Sequence, residues 1–449
     1  MLRSGSQLSF AKTLSLRERV IPAITPIAET GRRRWRIAWL LGLGVLIAYM
    51  DRVNISLGRQ PLHHAFGLST VSFGYLLSAY SWTYAVMQLP SGVLLDRFGI
   101  KRVGAIGTFL WTMATFATSA AAGVASLFSS RFLLGIGEAP IFPMSAKATA
   151  AWFPERERGF PTAIFDAAAK FSPAIGIPLV GLLMLHFGWR ISFAFTGVLS
   201  LLYLVLFVRI YRDPGGDPYL SASERAYIED GKVPKAENDP RLSRTLGDLA
   251  RQRKIVGLTI GFAAYNYSFY LLLTWLPSYV VAGLHLSMAH AVWAASIPWC
   301  FGGIVDLAVG GWLVDALIRR GHDAARVRRA VLLLGMACGL GIAGPALTHR
   351  PVLALVALSV GLGGLSASAP VAWSIPGTLV LAINNGKAGG IMNFGTQFAA
   401  ISAPILTGYL TSATHSFAAA FGVAGAIQVI GIAAYVLLLG KIERIDPAI

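Results

Sequence analysis

Apolar runs of helix-spanning length, each bounded by a short polar stretch, recur from one end of the chain to the other. A helix that crosses a bilayer needs roughly 20 apolar residues. The pattern predicts twelve such segments, at about 36–58, 71–95, 103–122, 125–147, 160–185, 189–211, 254–282, 289–314, 329–347, 351–381, 388–410 and 416–440. The runs are continuous and do not alternate with a period of two, so helices are expected rather than the strands of a barrel.

One polar stretch is much longer than the others. Residues 212–253, "RDPGGDPYLSASERAYIEDGKVPKAENDPRLSRTLGDLARQR", separate six predicted helices from six more. The expected organisation is a tail over 1–35, a six-helix half over 36–211, the linker over 212–253, a second six-helix half over 254–440 and a short tail over 441–449. Within the linker, "SASERAYIED" has a Ser cap followed by early acids, which predicts a short surface helix.

Composition agrees: 55% of the 449 residues are hydrophobic and 13% charged, with a mean hydropathy of +0.62, against about 25% charged in soluble domains. The net charge of +17 would suggest a nucleic-acid partner in a soluble chain, but its distribution excludes that. Thirty of the 38 Lys and Arg fall in the even-numbered loops and the two tails, while the odd-numbered loops hold only Arg59, Arg190 and Arg350. By the positive-inside rule both termini and the linker are expected in the cytoplasm. The "GRRRWR" stretch at 31–36 is suited to anionic lipid. The first 35 residues lack the apolar core of a secretory signal and are expected to form a disordered cytoplasmic tail. Cys300 and Cys338 both fall in apolar helices without nearby ligand residues, so they are expected to be packing residues. No metal, cofactor or catalytic arrangement appears, and the chain is expected to be neither an enzyme nor an oligomer.

A few charges break the apolar runs. Asp51 and Arg52 interrupt the first helix, and Arg131 and Glu138 lie seven residues apart in the fourth. An ionised side chain at mid-membrane costs roughly 2.5 to 3.5 kcal/mol on insertion scales and normally faces an aqueous cavity or a partner. Seven residues place Arg131 and Glu138 on one helix face about 10 Å apart along the axis, whereas Asp51 and Arg52 point about 100° apart. One of the latter can face a cavity while the other turns to a neighbouring helix. Acids and arginines together inside a bilayer point to proton-coupled movement of an anion.

A local pattern also repeats: "GVLLDRFGIKR" at 92–102 and "GWLVDALIRRG" at 311–321 share a Gly, an Asp four residues later and a basic cluster. At these residues the chain resembles the major facilitator superfamily, whose loop between helices two and three has this form. "WFPERERG" at 152–159 is similar to the partner loop between helices four and five. The resemblance implies that Asp96, Arg97, Glu155 and Arg158 belong to a cytoplasmic gate, with Asp315 serving in the second half. "YMDRVNIS" at 49–56, "SAYSWTYAVMQLPSG" at 78–92, "RFLLGIGEAPIFP" at 131–143 and "TWLPSYV" at 274–280 further resemble the anion:cation symporter family, which includes sugar-acid permeases and sialin.

That resemblance implies proton-coupled uptake of a small organic anion. Asp51 and Glu138 would take protons, Arg52 would hold the substrate carboxylate, and Arg131 would link Glu138 to the rest. Tyr49, Tyr84 and Gln88 would line the cavity in the first half. Tyr265 and Tyr270 in helix seven, Trp373 and Ser374 in helix ten, and Asn393 and Gln397 in helix eleven would add hydrogen bonds from the second. Asn393 and Gln397, at i and i+4, present two amides on one face.

Two features depart from the permease pattern. Asp166 and Lys170 in helix five are spaced to neutralise each other locally, or else Lys170 adds a third cation that favours a diacid or sulfonate. Asp306 in helix eight is a fourth buried acid with no partner evident in the second half. An exporter or antiporter of the same fold, or a carrier of a dicarboxylate, aromatic acid or sulfonate, is the alternative reading.

Overall fold

In the computed structural model of the protein, the described residues are 31–154, 157–230, 243–348 and 350–445. Residues 1–30 of the tail expected over 1–35, the gate candidate Glu155, the centre of the linker and residues 446–449 lie outside them, and the end of that tail is already helical from Arg33. Every regular element among the described residues is helical.

Twelve spans follow in chain order. They are α1 (Arg33–Leu57), α2 (Thr70–Phe98), α3 (Ile100–Ser119), α4 (Val124–Glu138 continued by Ile141–Trp152), α5 and α6 (the two parts of Gly159–Ile210), α7 (Arg253–Ala282), α8 (Met288–Arg319), α9 (Ala324–Leu347), α10 (Pro351–Leu379), α11 (Ala382–Thr414) and α12 (Ala418–Leu439). Gly188, with φ +81°, turns the chain between α5 and α6. Among the described residues, seven helices are long and apolar enough to cross a membrane on length and hydropathy alone, the double-length Gly159–Ile210 among them. Several spans run past their apolar runs: α9 begins at Ala324 and α11 at Ala382, because polar first turns such as "ARVRR" and "INNGK" stay helical outside the hydrocarbon. The linker's short helix forms at Ala222–Asp230, with Glu224 and Ile228 buried.

The linker packs against the ends of α1 and α11, and that end of the bundle is called the linker face below. Arg33 pairs with Asp217 at 2.8 Å, Arg34 pairs with Glu224 and Glu157, both at 3.1 Å, and Lys387 donates to Ser243 at 2.7 Å. Cys300 and Cys338 are both exposed rather than buried, although the Cys338 Cβ packs against Gly364 of α10.

The two halves meet tightly at the other end. A Cβ on Gly74 of α2 would lie 2.7 Å from the Pro404 carbonyl of α11, and one on Gly408 would lie 3.0 Å from the Thr70 carbonyl, so only glycine permits this approach. Tyr75 and Tyr409 hydroxyls meet at 3.2 Å beside it. Trp275 of α7 is fully buried there; its indole donates to the Pro404 carbonyl at 3.1 Å, and the Arg59 guanidinium sits 5.6 Å above its ring. Toward the linker face no such glycine contact recurs. An added Cβ at Gly92, Gly386, Gly389 or Gly390 would meet open space.

Candidate functional site

The mid-depth charges of the first half gather where α1, α2 and α4 touch. Close approach of α3 and α4 sets the position: a Cβ on Gly137 would lie 2.5 Å from the Trp111 nitrogen, and one on Gly107 would lie 2.8 Å from the Gly137 carbonyl. The next residue, Glu138, ends the first segment of α4 and is completely buried. Arg52 donates to its Oε2 from both Nε, at 2.9 Å, and Nη2, at 2.8 Å. The guanidinium also lies 4.1 Å from the centroid of Tyr49, 4.5 Å from Tyr80 and 5.4 Å from Tyr84. A cation–π contact is worth about 2 kcal/mol or more where water is excluded. The three rings therefore hold the cation in place whether or not its carboxylate stays. Glu138 Oε1 has no donor.

Asp51, one residue earlier, faces the other way. Its Oδ2 accepts from Thr115 of α3 at 3.1 Å and Ser200 of α6 at 3.2 Å, while Oδ1 has no donor. Arg131 donates to Thr118 at 3.0 Å and lies 5.8 Å from the Phe193 ring. The partner of Glu138 is thus Arg52, not Arg131; two helical turns separate the latter pair, as the spacing required. Arg131 lies within electrostatic reach of both Asp51 and Glu138 without bonding to either. Two acids and two arginines make this cluster neutral in total, so an added anion has to be matched by a proton or by release of one of the acids.

A second charged group straddles the halves. Lys170 of α5 is buried, contacts Asp166 one turn earlier, and lies 3.4 Å from Asp306 of α8. Asp306 thus finds its partner in the first half, not in its own. An aromatic wall joins the two clusters: Tyr49 packs on Phe269 at 6.1 Å, Phe269 on Tyr265 at 5.9 Å, Tyr265 on Phe262 at 5.2 Å and Phe262 on Trp373 at 5.4 Å. Tyr270 packs edge-on to Phe269 and lies in electrostatic reach of Arg52, while Tyr265 is in reach of Lys170.

Asn393 of α11 donates to Gln88 of α2 at 3.0 Å, so two residues 305 apart in sequence join the halves at mid-depth. Gln397 Nε2 bonds weakly to the Asn393 carbonyl at 3.5 Å and leaves its own Oε1 without a donor. Trp373 and Ser374 are exposed toward the end of α10; Trp373 touches the buried groups through Phe262, and the Ser hydroxyl is turned back onto the Val371 carbonyl. Of the gate residues, Asp96 pairs with Lys147 at 2.6 Å on an exposed surface, Arg158 donates to the Ala150 and Phe153 carbonyls, and Asp315 is exposed. Arg97 lies against its neighbour Phe98, 5.3 Å from the ring centroid.

Sequence reasoning missed Tyr80, Thr115, Ser200 and Phe269. Tyr80 lies one turn before Tyr84, so i to i+4 spacing placed both rings on the face that meets Arg52. Thr115 and Ser200 carry no such signal, since hydroxyls are common in spanning helices and bond equally well to their own backbone.

The Major Facilitator Superfamily profile matches residues 41–383. The chain is 38% identical to the uncharacterized transporter YybO of Bacillus subtilis, over 93% of this chain and 97% of that one. It is 32% identical to the probable galactarate/D-glucarate transporter GudP of Bacillus subtilis, over 94% and 95% of the two chains. Among solved structures it superposes on a bacterial homologue of the human lysosomal transporter Spinster with a TM-score of 0.70, at 16% identity, covering 91% of this chain and 98% of that one.

Proposed function

The chain belongs to the Major Facilitator Superfamily, and from that premise we propose that it takes up a small organic anion, a sugar acid or related carboxylate, together with protons by alternating access. The observation that carries this reading is the Arg52–Glu138 pair in its cage of tyrosines. A buried guanidinium that donates two hydrogens to one carboxylate oxygen can donate them to another carboxylate, and the residue that now fills the place can be protonated. The similarity to a probable galactarate/D-glucarate transporter supports a polyhydroxylated acid.

The cycle follows from charge balance. A substrate carboxylate displaces Glu138 from Arg52, and Glu138, left without its cation in a dry site, takes up a proton. Asp51 is the second proton site, and its charge is felt through Arg131. Only a neutralised cluster crosses the low-dielectric interior at tolerable cost. Tyr49, Tyr84, Gln88, Tyr265, Tyr270, Asn393 and Gln397 supply hydroxyls and amides for the polyol part. The distribution of basic residues assigns the linker face to the cytoplasm, so substrate is released there, and Asp96, Arg97, Arg158, Asp315 and Glu155 close that face in the outward state.

Purified protein in liposomes with an alkaline interior tests this. Labelled D-glucarate or D-galactonate should accumulate, and a protonophore should abolish the accumulation. Uptake that ignores the proton gradient would sink the symport reading, and accumulation only under the reversed gradient would identify an exporter.

A further inference from the structure

We infer that Lys170, Asp166 and Asp306 form a second anion subsite, closed by Asp306 until that acid is protonated, which receives the distal acid group of a dianionic substrate. The inference rests on the preceding reading for the first subsite at Arg52 and adds to it a place, a charge and a gatekeeper.

The geometry is specific. Lys170 and Asp306 are each 2% exposed, and they come from opposite halves, α5 and α8. Lys170 bonds to Asp166 on its own helix, and Asp306 lies 3.4 Å away, outside hydrogen-bond geometry, with neither of its oxygens receiving a donor. Asp306 is therefore a buried acid aimed at an ammonium that is already in use. It also opens a stretch of π-helix, Asp306–Leu313, within α8. Such π-segments are rare and concentrate at functional sites, because the widened turn redirects side chains and frees backbone groups.

Charge decides what the cluster can do. Two carboxylates around one ammonium carry a net charge of −1 when all are ionised. The other groups packed around it do not correct this: α7 contributes the Tyr265 phenol, the Ser366 hydroxyl of α10 beside Gly302, one turn before Asp306, is neutral, and on α1 Arg52 is committed to Glu138. An incoming acid group would raise the local charge to −2 in a medium that screens poorly. One proton on Asp306 removes that repulsion and the competition for the ammonium in the same step. Asp166, the more exposed of the two acids, remains as the one-turn partner that keeps Lys170 charged in the empty state. The aromatic wall from Tyr49 through Phe269 to Tyr265 runs between the two cations, so a molecule with an acid at each end would lie along it. Because Lys170 and Asp306 belong to different halves, the same protonation also loosens a tie across the α5–α8 interface.

The experiment is thermal unfolding of the purified full-length protein with two dianions, D-glucarate and sulfoacetate, and one monoanion, D-gluconate, at about pH 5.5 and about pH 7.5, a span that reveals any proton linked to binding. Wild type should bind the dianions about tenfold or more tightly at the lower pH, with a smaller change for gluconate. Asp306→Asn, a mimic of the protonated acid, should bind them tightly at both values. Lys170→Gln should lose the preference for dianions while keeping gluconate, and Lys170→Arg should restore it, which excludes misfolding as the cause. A wild-type response confined to gluconate, or an Asp306→Asn profile that keeps the full pH dependence, would overturn the subsite. A response to sulfoacetate alone would retain the subsite and remove the sugar-acid assignment of the first reading.

Discussion

Arg52 places two of its hydrogens on a single oxygen of Glu138, at 2.9 and 2.8 Å, and leaves the other oxygen of that carboxylate, buried like the first, without any donor. The pair spans 86 residues and ties α1 directly to α4. An unpaired buried acceptor costs about 1 to 3 kcal/mol, and that penalty lowers the barrier to exchanging Glu138 for a ligand that fits better.

Glu138→Gln removes the protonatable group and keeps its shape. Proton-driven accumulation in liposomes should be abolished, whereas substrate exchange across the same membrane should persist. Undiminished accumulation in this variant would remove Glu138 from the coupling mechanism.

Arg52→Lys keeps the charge but loses the paired hydrogens and the flat face that three tyrosine rings cover. Hydrogen bonds to charged groups contribute about 1.5 to 3 kcal/mol each, so the apparent substrate affinity should fall about 10- to 100-fold. Titration calorimetry or a thermal shift measures this directly. Tyr80→Phe should have little effect on the cation because the ring face remains.

Much of this was legible in the sequence, and the reasons differ by level. The twelve spans followed from run length, since hydrophobicity and span are tied to the bilayer. Arg52, Glu138 and Asp51 stood out because a charge in an apolar run demands a partner. Which partner it takes depends on helix packing: Arg131 shared a face with Glu138 on paper, yet Arg52 reached it from α1. Asp306 shows the same limit, as its partner lies in the other half, 136 positions earlier in the chain, where no local pattern records it. The bond from Asn393 to Gln88 had both residues in view but not their meeting.

The glycine contact between α2 and α11 holds the face opposite the linker closed. Gly74→Val would place side-chain carbon atoms against the Pro404 carbonyl, where even a Cβ would lie only 2.7 Å away. The helices cannot close over that volume, so the variant should favour the state open on this face. Labelling of a cysteine introduced at Tyr409 should become faster and uptake slower. Equal labelling rates in the two backgrounds would contradict this account of closure.

The charged groups of the linker face separate stability from gating. Arg34 and Glu224 are 2% and 1% exposed, and they pair at 3.1 Å. Removing one partner of a buried pair costs about 3 to 5 kcal/mol, since the remaining charge is left dry. Arg34 keeps Glu157, which is 23% exposed, so Glu224→Ala should cost less, on the order of 2 kcal/mol, read as a lowered unfolding midpoint. Asp96 is in the opposite situation: its pair with Lys147 is exposed, the acid to 79%, and exposed pairs contribute little. Asp96→Asn should therefore leave the unfolding midpoint where it is while slowing transport, because its work is done when α2 and α11 close on the linker face. A midpoint that falls as far in Asp96→Asn as in Glu224→Ala would show that this pair supports the fold in the state described, and that the gate lies elsewhere.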